Sequence, residues 1–244
     1  MSKSAAIVLG LLYEHYKPQT VIDIGCGQGA WLAAAESLGS KMLKGMDGQW
    51  VKKEALLSQH IDFTAVNFDA AIPKLNEKYD LCISLEVAEH ISEVNANKFI
   101  NLLCEASDTV LFSAAIKYQG GMNHINEQWQ SYWVDLFKSN GYECLDLFRA
   151  TLWNNMSVEY WYRQNTFLFV GPNNSVLNVE ALRALEKPIS DIAHPITYEN
   201  KVHFYETALN SCENDVKLYR DKIDYPTLRF CLDCIKRYIR SKLQ

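Results

Sequence analysis

The chain has 244 residues, of which 48% are hydrophobic and 22% are charged, and its formal net charge is −5. These values are typical of a globular protein, and the length suffices for one large α/β domain or for a domain with an appendage. The acidic balance argues against a nucleic-acid partner, because surfaces that bind nucleic acid are usually basic. No apolar run approaches the ~20 residues that span a bilayer, so we expect no stable membrane insertion.

The N-terminal residues and the cysteines favour a cytoplasmic location. Glu14 and His15 interrupt the first apolar stretch, which predicts an amphipathic helix over residues 5–16 and not a signal peptide. The chain has 7 cysteines, an odd number, and most of them lie in apolar runs, so we expect reduced thiols. Cys231 and Cys234 form one CxxC with no second pair, so we expect no structural zinc.

Short apolar segments and helical patterns alternate along most of the chain. Strands are predicted at residues 21–24, 41–46, 63–66, 79–85, 109–114, 142–148 and 166–171. Helices are predicted at residues 5–16, 30–38, 49–57, 95–107 and 128–139. This alternation predicts a parallel sheet with helices on both faces. No obvious helix separates the last two strands, so we expect them to form a closing antiparallel pair.

A glycine-rich turn follows the first predicted strand in the segment TVIDIGCGQGAWL. Gly25, Gly27 and Gly29 stand between the β-branched run and the next helix. Glycines here permit a tight turn and let the backbone approach a ligand closely. The spacing is GxGxG, which differs from the GxGxxG of dinucleotide enzymes, and no Lys-Ser/Thr pair follows as in a P-loop. Asp23 precedes the turn; its carboxylate repels a pyrophosphate but suits a cation or a pair of hydroxyls.

Polar groups follow the next two strands at the same predicted edge of the sheet. Asp47 ends the second strand about 20 residues beyond the turn, where a ribose-binding carboxylate lies in a βαβ unit. Asn67, Phe68 and Asp69 follow the third strand. Ligands of such sheets bind beyond the carboxyl ends of the strands. We therefore expect these residues to surround one ligand.

These segments together resemble the class I S-adenosylmethionine (SAM) dependent methyltransferases, whose first motif is written hhDhGCGxG. The resemblance covers about residues 20–171. It implies a Rossmann-like α/β fold with a seven-stranded, mostly parallel sheet and an antiparallel final strand. It also implies SAM as cofactor, with Asp23 near the methionine part, Asp47 on the ribose hydroxyls and Asn67 near the adenine amine, Asp69 being the fallback. The cofactor-binding residues implied are Asp23, Gly25, Gly27, Asp47, Asn67 and Phe68.

A second motif, ExxEH, follows the fourth predicted strand. If this segment is the first turn of a helix, Glu86, Glu89 and His90 share one face. Two carboxylates and an imidazole suit a divalent metal. The motif resembles the one by which ubiquinone-pathway catechol-type O-methyltransferases and small-RNA ribose 2′-O-methyltransferases hold a divalent ion, the latter with a further histidine. Here His124 is the candidate, so we expect Mg²⁺ or Mn²⁺ at Glu86, Glu89, His90 and His124.

A metal-free alternative remains open for the same residues. Many methyltransferases without a metal have a similar EVLEHI segment, in which the acid and the histidine are structural. In that case His124 is the first choice for the general base and His90 the second, with Glu89 completing the catalytic set.

The acceptor is indicated by two segments in which polar and aromatic residues alternate. They are HINEQW at residues 124–129 and WYRQN at residues 161–165. Such alternation occurs in carbohydrate sites. The alternatives are that the aromatic residues only cover the sheet, that Asn126 caps a helix and that Glu127 is an acid in the first turn of that helix. Together with SYW at residues 131–133, the segments resemble methyltransferases associated with bacterial surface-polysaccharide clusters.

The resemblance implies an O-methyltransferase acting on a small-molecule acceptor, a sugar or a nucleotide-activated sugar. Two other functions stay open. One is methylation of a phosphate-type group or an aromatic diol, and the other is a SAM-binding subunit without catalysis.

The remaining residues are more polar and more charged. We expect a methyltransferase domain at residues 1–171 and a helical extension at residues 172–244, with helices near 178–185, 198–215 and 225–243. The final helix, RFCLDCIKRYIRSKL, is basic and amphipathic, and it packs on the core, lies on a membrane surface or joins a homo-oligomer. We expect this extension to contribute to acceptor binding or oligomer contact.

Overall fold

The fold is taken from a computed structural model, which describes residues 3–68, 70, 72–175, 177–183 and 192–242. The chain divides into two units, Met1–Thr197 and Tyr198–Gln244. The expected domain boundary after residue 171 stays a prediction. Within the described residues, no helix has both the length and the apolar character that crossing a membrane requires.

The strands of the first unit form one sheet. They are β1 (Thr20–Ile24), β2 (Met42–Asp47), β3 (Ile61–Ala65), β4 (Leu81–Leu85), β5 (Thr109–Ser113), β6 (Glu143–Leu145) and β7 (Phe167–Val170). Their order across the sheet is β3-β2-β1-β4-β5-β7-β6. β7 is antiparallel to both β5 and β6, and the pairs from β3 to β5 are parallel. The expected Rossmann-like α/β fold, a mostly parallel seven-stranded sheet with an antiparallel final strand, is confirmed for the described residues.

Helices lie before, between and after these strands. They are α1 (Lys3–Tyr13), α2 (Ala30–Ser37), α3 (Glu93–Ala106), α4 (Gln130–Ser139), α5 (Arg149–Leu152), α6 (Tyr160–Asn165), α7 (Val179–Arg183), α8 (Pro195–Asp224) and α9 (Leu228–Lys242). α8 is 30 residues long and extends beyond the predicted helix at 198–215. The ends of the predicted helices at 178–185 and 225–243 lie outside the described residues.

The core lies on both faces of the sheet. Successive strand residues point to opposite faces, so Val21 and Leu111 join one apolar cluster while Ile22 and Phe112 join the other. Helices α1 and α2 contribute to the first cluster, and α3 and α4 to the second. Every residue of β4 and β5 is buried. Because these strands are covered on both faces, they appear in the sequence as nearly continuous apolar runs, without the alternation of a half-exposed strand.

Two local predictions are wrong. The helix expected at residues 49–57 is only a 3₁₀ turn at Lys53–Ala55. Trp50 and Leu57 are exposed while Leu56 packs against the core, so these apolar residues do not form one buried helical face. The Leu57 amide donates to the Gln28 carbonyl at 2.9 Å and not to a carbonyl of its own turn. The sequence also gave no indication of α5 and α6, which lie between β6 and β7. Helices of 4 and 6 residues are too short to show a helical period.

Two glycines allow a test of backbone conformation without steric interference. A Cβ atom added at Gly10 or at Gly39 would have no neighbour within 4 Å. Gly10 lies inside α1, whereas Gly39 follows α2 with φ 109°. We predict that Gly10→Ala raises the free energy of unfolding by ~0.5–1 kcal/mol, because alanine loses less conformational entropy in a helix. Gly39→Ala should lower it by ~1–2 kcal/mol, because an L side chain is strained at positive φ.

Urea unfolding followed by circular dichroism measures both variants against the parent protein. Equal shifts in the same direction would contradict the conformations assigned to these two glycines.

Candidate active site

The glycine turn is tied to the end of β2. The Gly25 and Cys26 amides both donate to the Met46 carbonyl, at 2.7 and 3.1 Å. Gly25 has φ 92°, and a Cβ atom there would lie 2.2 Å from Cγ2 of Val87. Both the backbone conformation and the close approach of Val87 therefore require glycine at this position.

Asp47 holds the turn from the neighbouring strand. Its Oδ2 accepts a hydrogen bond from the Gly27 amide at 2.7 Å, and its Oδ1 accepts one from the Gly48 amide at 2.6 Å. A carboxylate oxygen can accept more than one hydrogen bond. The carboxylate is thus fixed in position and keeps acceptor capacity for the hydroxyl groups of a ligand.

A cavity of about 520 Å³ opens at this edge of the sheet. Four of the predicted cofactor residues line it: Gly25, Asp47, Asn67 and Phe68. The other lining residues are Trp50, Val66, Glu86, Val87, His90, Ile91, Asn123 and Ile125. Its volume lies within the ~300–1,000 Å³ that is usual for cofactor sites. Apolar walls with a fixed carboxylate and an amide fit a nucleoside, whereas Asp69, the alternative to Asn67, lies outside the described residues.

The two remaining cofactor candidates, Asp23 and Gly27, do not line this cavity. Asp23 is 1% exposed, and its Oδ2 has no hydrogen-bond partner among the described residues. Burial, followed by the negative charge of Asp47, raises the pKa of Asp23 well above its usual range. A buried carboxylate oxygen without a partner fits the binding of a cationic ligand group. Gly27 lies outside the cavity lining, and its amide holds the Asp47 carboxylate in place.

The ExxEH segment does not form the helical turn that was expected. Only Ala88–His90 form a 3₁₀ turn, and Glu86 stands before it with φ 56°. The Glu86 amide donates to the carbonyl and to the hydroxyl of Ser113, at 3.0 and 3.1 Å. The chain therefore continues along β5 for one more residue before it turns. The predicted shared helical face of Glu86, Glu89 and His90 is wrong for this reason.

The Glu86 side chain is bound by two amides. Its Oε1 accepts from the Asn165 side chain at 3.2 Å, and its Oε2 accepts from the Gln119 side chain at 3.1 Å. Burial raises the pKa of Glu86, and the hydrogen bonds from Ser113, Asn165 and Gln119 act in the opposite direction. Through Asn165, Glu86 is thereby connected to the end of α6, although Glu86 and Asn165 are far apart in the sequence.

Glu89, His90 and His124 form a compact group, which we call the Glu–His cluster. One ligand atom from each residue lies within 4.8 Å of the others. Glu89 is 0% exposed, and neither of its carboxylate oxygens has a hydrogen-bond partner among the described residues. Burial, followed by the negative charge of Glu86, raises the pKa of Glu89 well above its usual range, and the nearby backbone amides of Glu89 and Ala115 act more weakly in the opposite direction. A nearby cation would stabilise the ionised form of this carboxylate.

Both imidazoles of the cluster are oriented through Nδ1. His124 Nδ1 lies 2.8 Å from Oε1 of Glu127, and His124 Nε2 lies 3.9 Å from Oε1 of Glu89. His90 Nδ1 lies 3.2 Å from the Asn123 carbonyl oxygen. When Nδ1 donates its proton in this way, the lone pair of a neutral imidazole is on Nε2. Metal-binding histidines are commonly oriented by such carboxylate and carbonyl acceptors.

Sequence reasoning missed this role of Glu127. The alternative that treated it as a first-turn acid is wrong, because α4 begins only at Gln130. Oε1 of Glu127 also accepts the Gly120 amide at 2.6 Å, so the carboxylate joins both ends of the loop that contains His124. The HxxE spacing of His124 and Glu127 is the feature of the sequence that could have indicated this contact between the imidazole and the carboxylate.

A second cleft, of about 240 Å³, lies beside the cofactor cavity. Its lining residues are Glu86, Glu89, His90, Gln119, Gly120, Gly121, His124, Tyr160 and Trp161. Glu86 and His90 line both spaces. A group bound in the cleft would therefore meet a ligand of the larger cavity at these two residues.

Comparison with known proteins identifies the class of enzyme. The sequence profile of a family described as a methyltransferase domain matches residues 4–160, which is more than half of the chain. The chain belongs to this family, and it is a SAM-dependent methyltransferase. A comparison with curated proteins finds no match.

Solved methyltransferase structures have the same fold. The methyltransferase domain of bacterial CtHen1-C is 18% identical, with a TM-score of 0.51, over 69% of this chain and 97% of that one. Magnesium protoporphyrin IX methyltransferase from Synechocystis PCC 6803, with bound SAM, is 19% identical, with a TM-score of 0.51, over 68% of this chain and 76% of that one. Human N-acetylserotonin methyltransferase in complex with SAM is 15% identical, with a TM-score of 0.50, over 70% and 52%.

The position of Asp47 gives a direct test of the cofactor cavity. We predict that Asp47→Ala weakens SAM binding by ~1–3 kcal/mol, because a charge-assisted hydrogen bond to the ribose is lost. Asp62→Ala is the matched control, because this carboxylate is 72% exposed and pairs with Lys44. Calorimetric titration with SAM measures both variants. Unchanged SAM affinity in Asp47→Ala would contradict the ribose contact.

Proposed function

We propose that this enzyme is an O-methyltransferase that acts on a hydroxyl group of a sugar, presented as a nucleotide-activated precursor of a bacterial surface polysaccharide. We further propose that Glu89, His90 and His124 hold a divalent ion, Mg²⁺ or Mn²⁺, with Glu86 beside them. The carboxylate of Glu89 is the observation that carries the metal proposal. It is wholly buried, both of its oxygens lack partners among the described residues, and it faces an imidazole nitrogen.

The ligand set fits such an ion. A carboxylate favours a hard ion, while two imidazoles move the preference from Mg²⁺ toward Mn²⁺ or a later metal. The hydrogen bond from His124 to Glu127 supports this proposal, because it fixes Nδ1 and leaves Nε2 for the ion. Glu86 is half-buried, and its oxygens already accept hydrogen bonds from Asn165 and Gln119. We therefore assign Glu86 mainly to the orientation of the acceptor.

The second cleft supports a sugar acceptor. Tyr160 and Trp161 contribute aromatic rings to its lining, together with the polar side chains of Glu86 and His124. Aromatic rings cover the apolar faces of a ligand, and carboxylates and imidazoles hydrogen-bond its hydroxyl groups. The edge-to-face contact of Tyr160 with Trp161, at 5.0 Å between ring centroids, holds this wall in place.

Methyl transfer to oxygen is an in-line displacement, so the two reactants must be aligned. When bound, SAM supplies an electrophilic methyl group, and a divalent ion lowers the pKa of the acceptor hydroxyl. Asp47 and Asn67 bind and orient the nucleoside part of the cofactor. Glu86 and His90 line both spaces, so they orient the acceptor oxygen toward the cofactor cavity. In the metal-free alternative, Nε2 of His124 accepts the hydroxyl proton, and His90 is the second choice.

Three other functions follow from the same site. A phosphate-type acceptor or an aromatic diol would also bring two neighbouring oxygens to a divalent ion. A SAM-binding subunit without catalysis needs no Glu–His cluster, so the cluster favours an enzyme. The aromatic side chains of the second cleft favour a sugar or an aromatic diol over a phosphate-type acceptor, because only the first two have apolar faces that such rings can cover.

The proposed metal site predicts ion binding in the absence of SAM and acceptor. Mn²⁺ affinity, measured by electron paramagnetic resonance of the free ion, should fall by at least ~10-fold in Glu127→Gln, because His124 loses its orienting carboxylate. Glu89→Gln should abolish specific binding while SAM affinity stays unchanged. Glu105→Gln, at an exposed carboxylate of α3, is the control and should bind Mn²⁺ like the parent.

Activity provides the second measurement. A chelator should remove turnover, and the ion should restore it. Full turnover by chelated protein, together with no loss of Mn²⁺ binding in Glu89→Gln, would refute the metal site and leave His124 as the general base.

The acceptor cleft predicts different roles for two tryptophans. Trp161→Ala should raise KM for the acceptor about 10-fold, which corresponds to ~1.4 kcal/mol, while KM for SAM stays unchanged. Trp50→Ala should raise KM for SAM and leave KM for the acceptor unchanged, because Trp50 lines the cofactor cavity. The measurement is a methyl-transfer assay with labelled SAM against nucleotide sugars, catechols and phosphomonoesters. Turnover of catechols or phosphomonoesters alone would contradict the sugar proposal and leave the methyltransferase assignment intact.

A further inference from the structure

The apolar residues of α8 recur at alternating steps of four and three residues. They occupy the positions that are labelled a and d in a heptad repeat, where g and e are the flanking positions. The a residues are Val202, Leu209, Val216 and Ile223, and the d residues are Tyr198, Tyr205, Cys212 and Tyr219. An unbroken a/d pattern of this length is typical of a coiled coil. Three of the four a residues are β-branched, as in two-stranded parallel coiled coils, although tyrosine and cysteine stand at d where leucine is usual.

This apolar stripe is on the surface. Among its residues, Tyr198, Leu209 and Ile223 are 70%, 60% and 67% exposed. Cys212 is also exposed, and Val202 is partly buried. Long helices in proteins gain most of their stability by packing an apolar face, so a stripe that runs along the whole helix indicates a partner helix.

The flanking charges indicate which partner fits. In a parallel pair of identical helices in register, each g residue lies near the following e residue of the other copy. Lys201 then faces Glu206 of the second copy, and Asp215 faces Arg220 of the second copy. Symmetry repeats each of these attractive pairs, and no like charges meet.

An antiparallel pair has a less favourable charge pattern. With a residues opposite d residues over the full helix, Leu209 lies opposite Cys212 of the other copy. This register brings Glu206 against Glu213 and Lys201 against Lys222, which are pairs of like charge. Only Glu199 against Arg220 is attractive. Like charges at flanking positions suppress the wrong pairing.

We propose that α8 forms a parallel, in-register coiled coil with α8 of a second copy of this chain, so that the enzyme is a homodimer. The interface is the a/d stripe from Tyr198 to Ile223. Phe204 and Leu218 are exposed but lie at c positions, outside this stripe. The proposal does not depend on the acceptor or on the metal ion.

The mass of the full-length protein in solution tests the dimer. Analytical ultracentrifugation should give twice the chain mass of 27.9 kDa at micromolar concentration. Leu209→Glu puts a charge at the centre of the stripe and should give the monomer mass. Leu218→Glu is the matched control, because it makes the same change at an exposed leucine outside the stripe, and it should remain a dimer. A monomeric parent protein, or a dimeric Leu209→Glu protein, overturns the proposal.

A charge reversal tests the pairing of the flanking residues. Arg220→Glu sets Asp215 against a carboxylate of the second copy and should raise the dimer dissociation constant by about 10-fold or more. Adding Asp215→Arg to that variant restores opposite charges and should return the constant toward the parent value. A double variant as weak as Arg220→Glu alone would overturn the charge assignment.

Cys212 reports the direction of the helices. In the parallel register it faces Cys212 of the second copy, so a copper–phenanthroline oxidant should remove two protons and two electrons from the thiol pair and form a disulfide. The covalent dimer should persist in a Cys231→Ser, Cys234→Ser variant and disappear in Cys212→Ser. A dimer that forms no Cys212 disulfide overturns the parallel register.

Discussion

The site depends on the parallel pairing of β1 with both β2 and β4. Asp23 lies beside Gly45 on one side and beside Ile83 on the other. Because the three strands run in the same direction, their carboxyl ends reach one edge of the sheet. The glycine turn follows β1, Asp47 ends β2, and Glu86 follows β4. The strand register therefore places the cofactor cavity beside the ExxEH segment, and this placement does not depend on contacts between side chains of the site.

Electrostatics then separates the acids at this edge into two kinds. Asp47 is held by backbone amides and lines the cofactor cavity, so its charge is compensated. Asp23 and Glu89 are almost fully buried and keep oxygens without partners among the described residues, so their ionised forms are costly. A ligand of opposite charge would stabilise the ionised forms of these two carboxylates. The cost of leaving them unpaired is the physical reason to look for a cationic cofactor group near Asp23 and an ion near Glu89.

Most of the fold was predictable from the sequence because its signals are local. Buried strands are mostly apolar runs, and the positive φ values of Gly25, Gly27 and Gly29 favour glycine. The parts that were missed depend on contacts between distant segments. The conformation of Glu86 is set by Ser113, and the amides that bind its carboxylate come from Gln119 and Asn165. No periodicity near Glu86 carries this information.

The stripe on α8 was missed for a different reason. The predicted helix ends at residue 215, because Lys217, Arg220 and Lys222 make the following segment strongly polar, so the predicted helix contains only part of the repeat. A narrow a/d stripe tolerates charges at all the remaining positions of the heptad, because only the a and d positions enter the interface. All residues that line the cofactor cavity and the second cleft lie between Gly25 and Trp161. The stripe begins at Tyr198, so the residues that hold the ligands and those proposed for assembly can be altered independently.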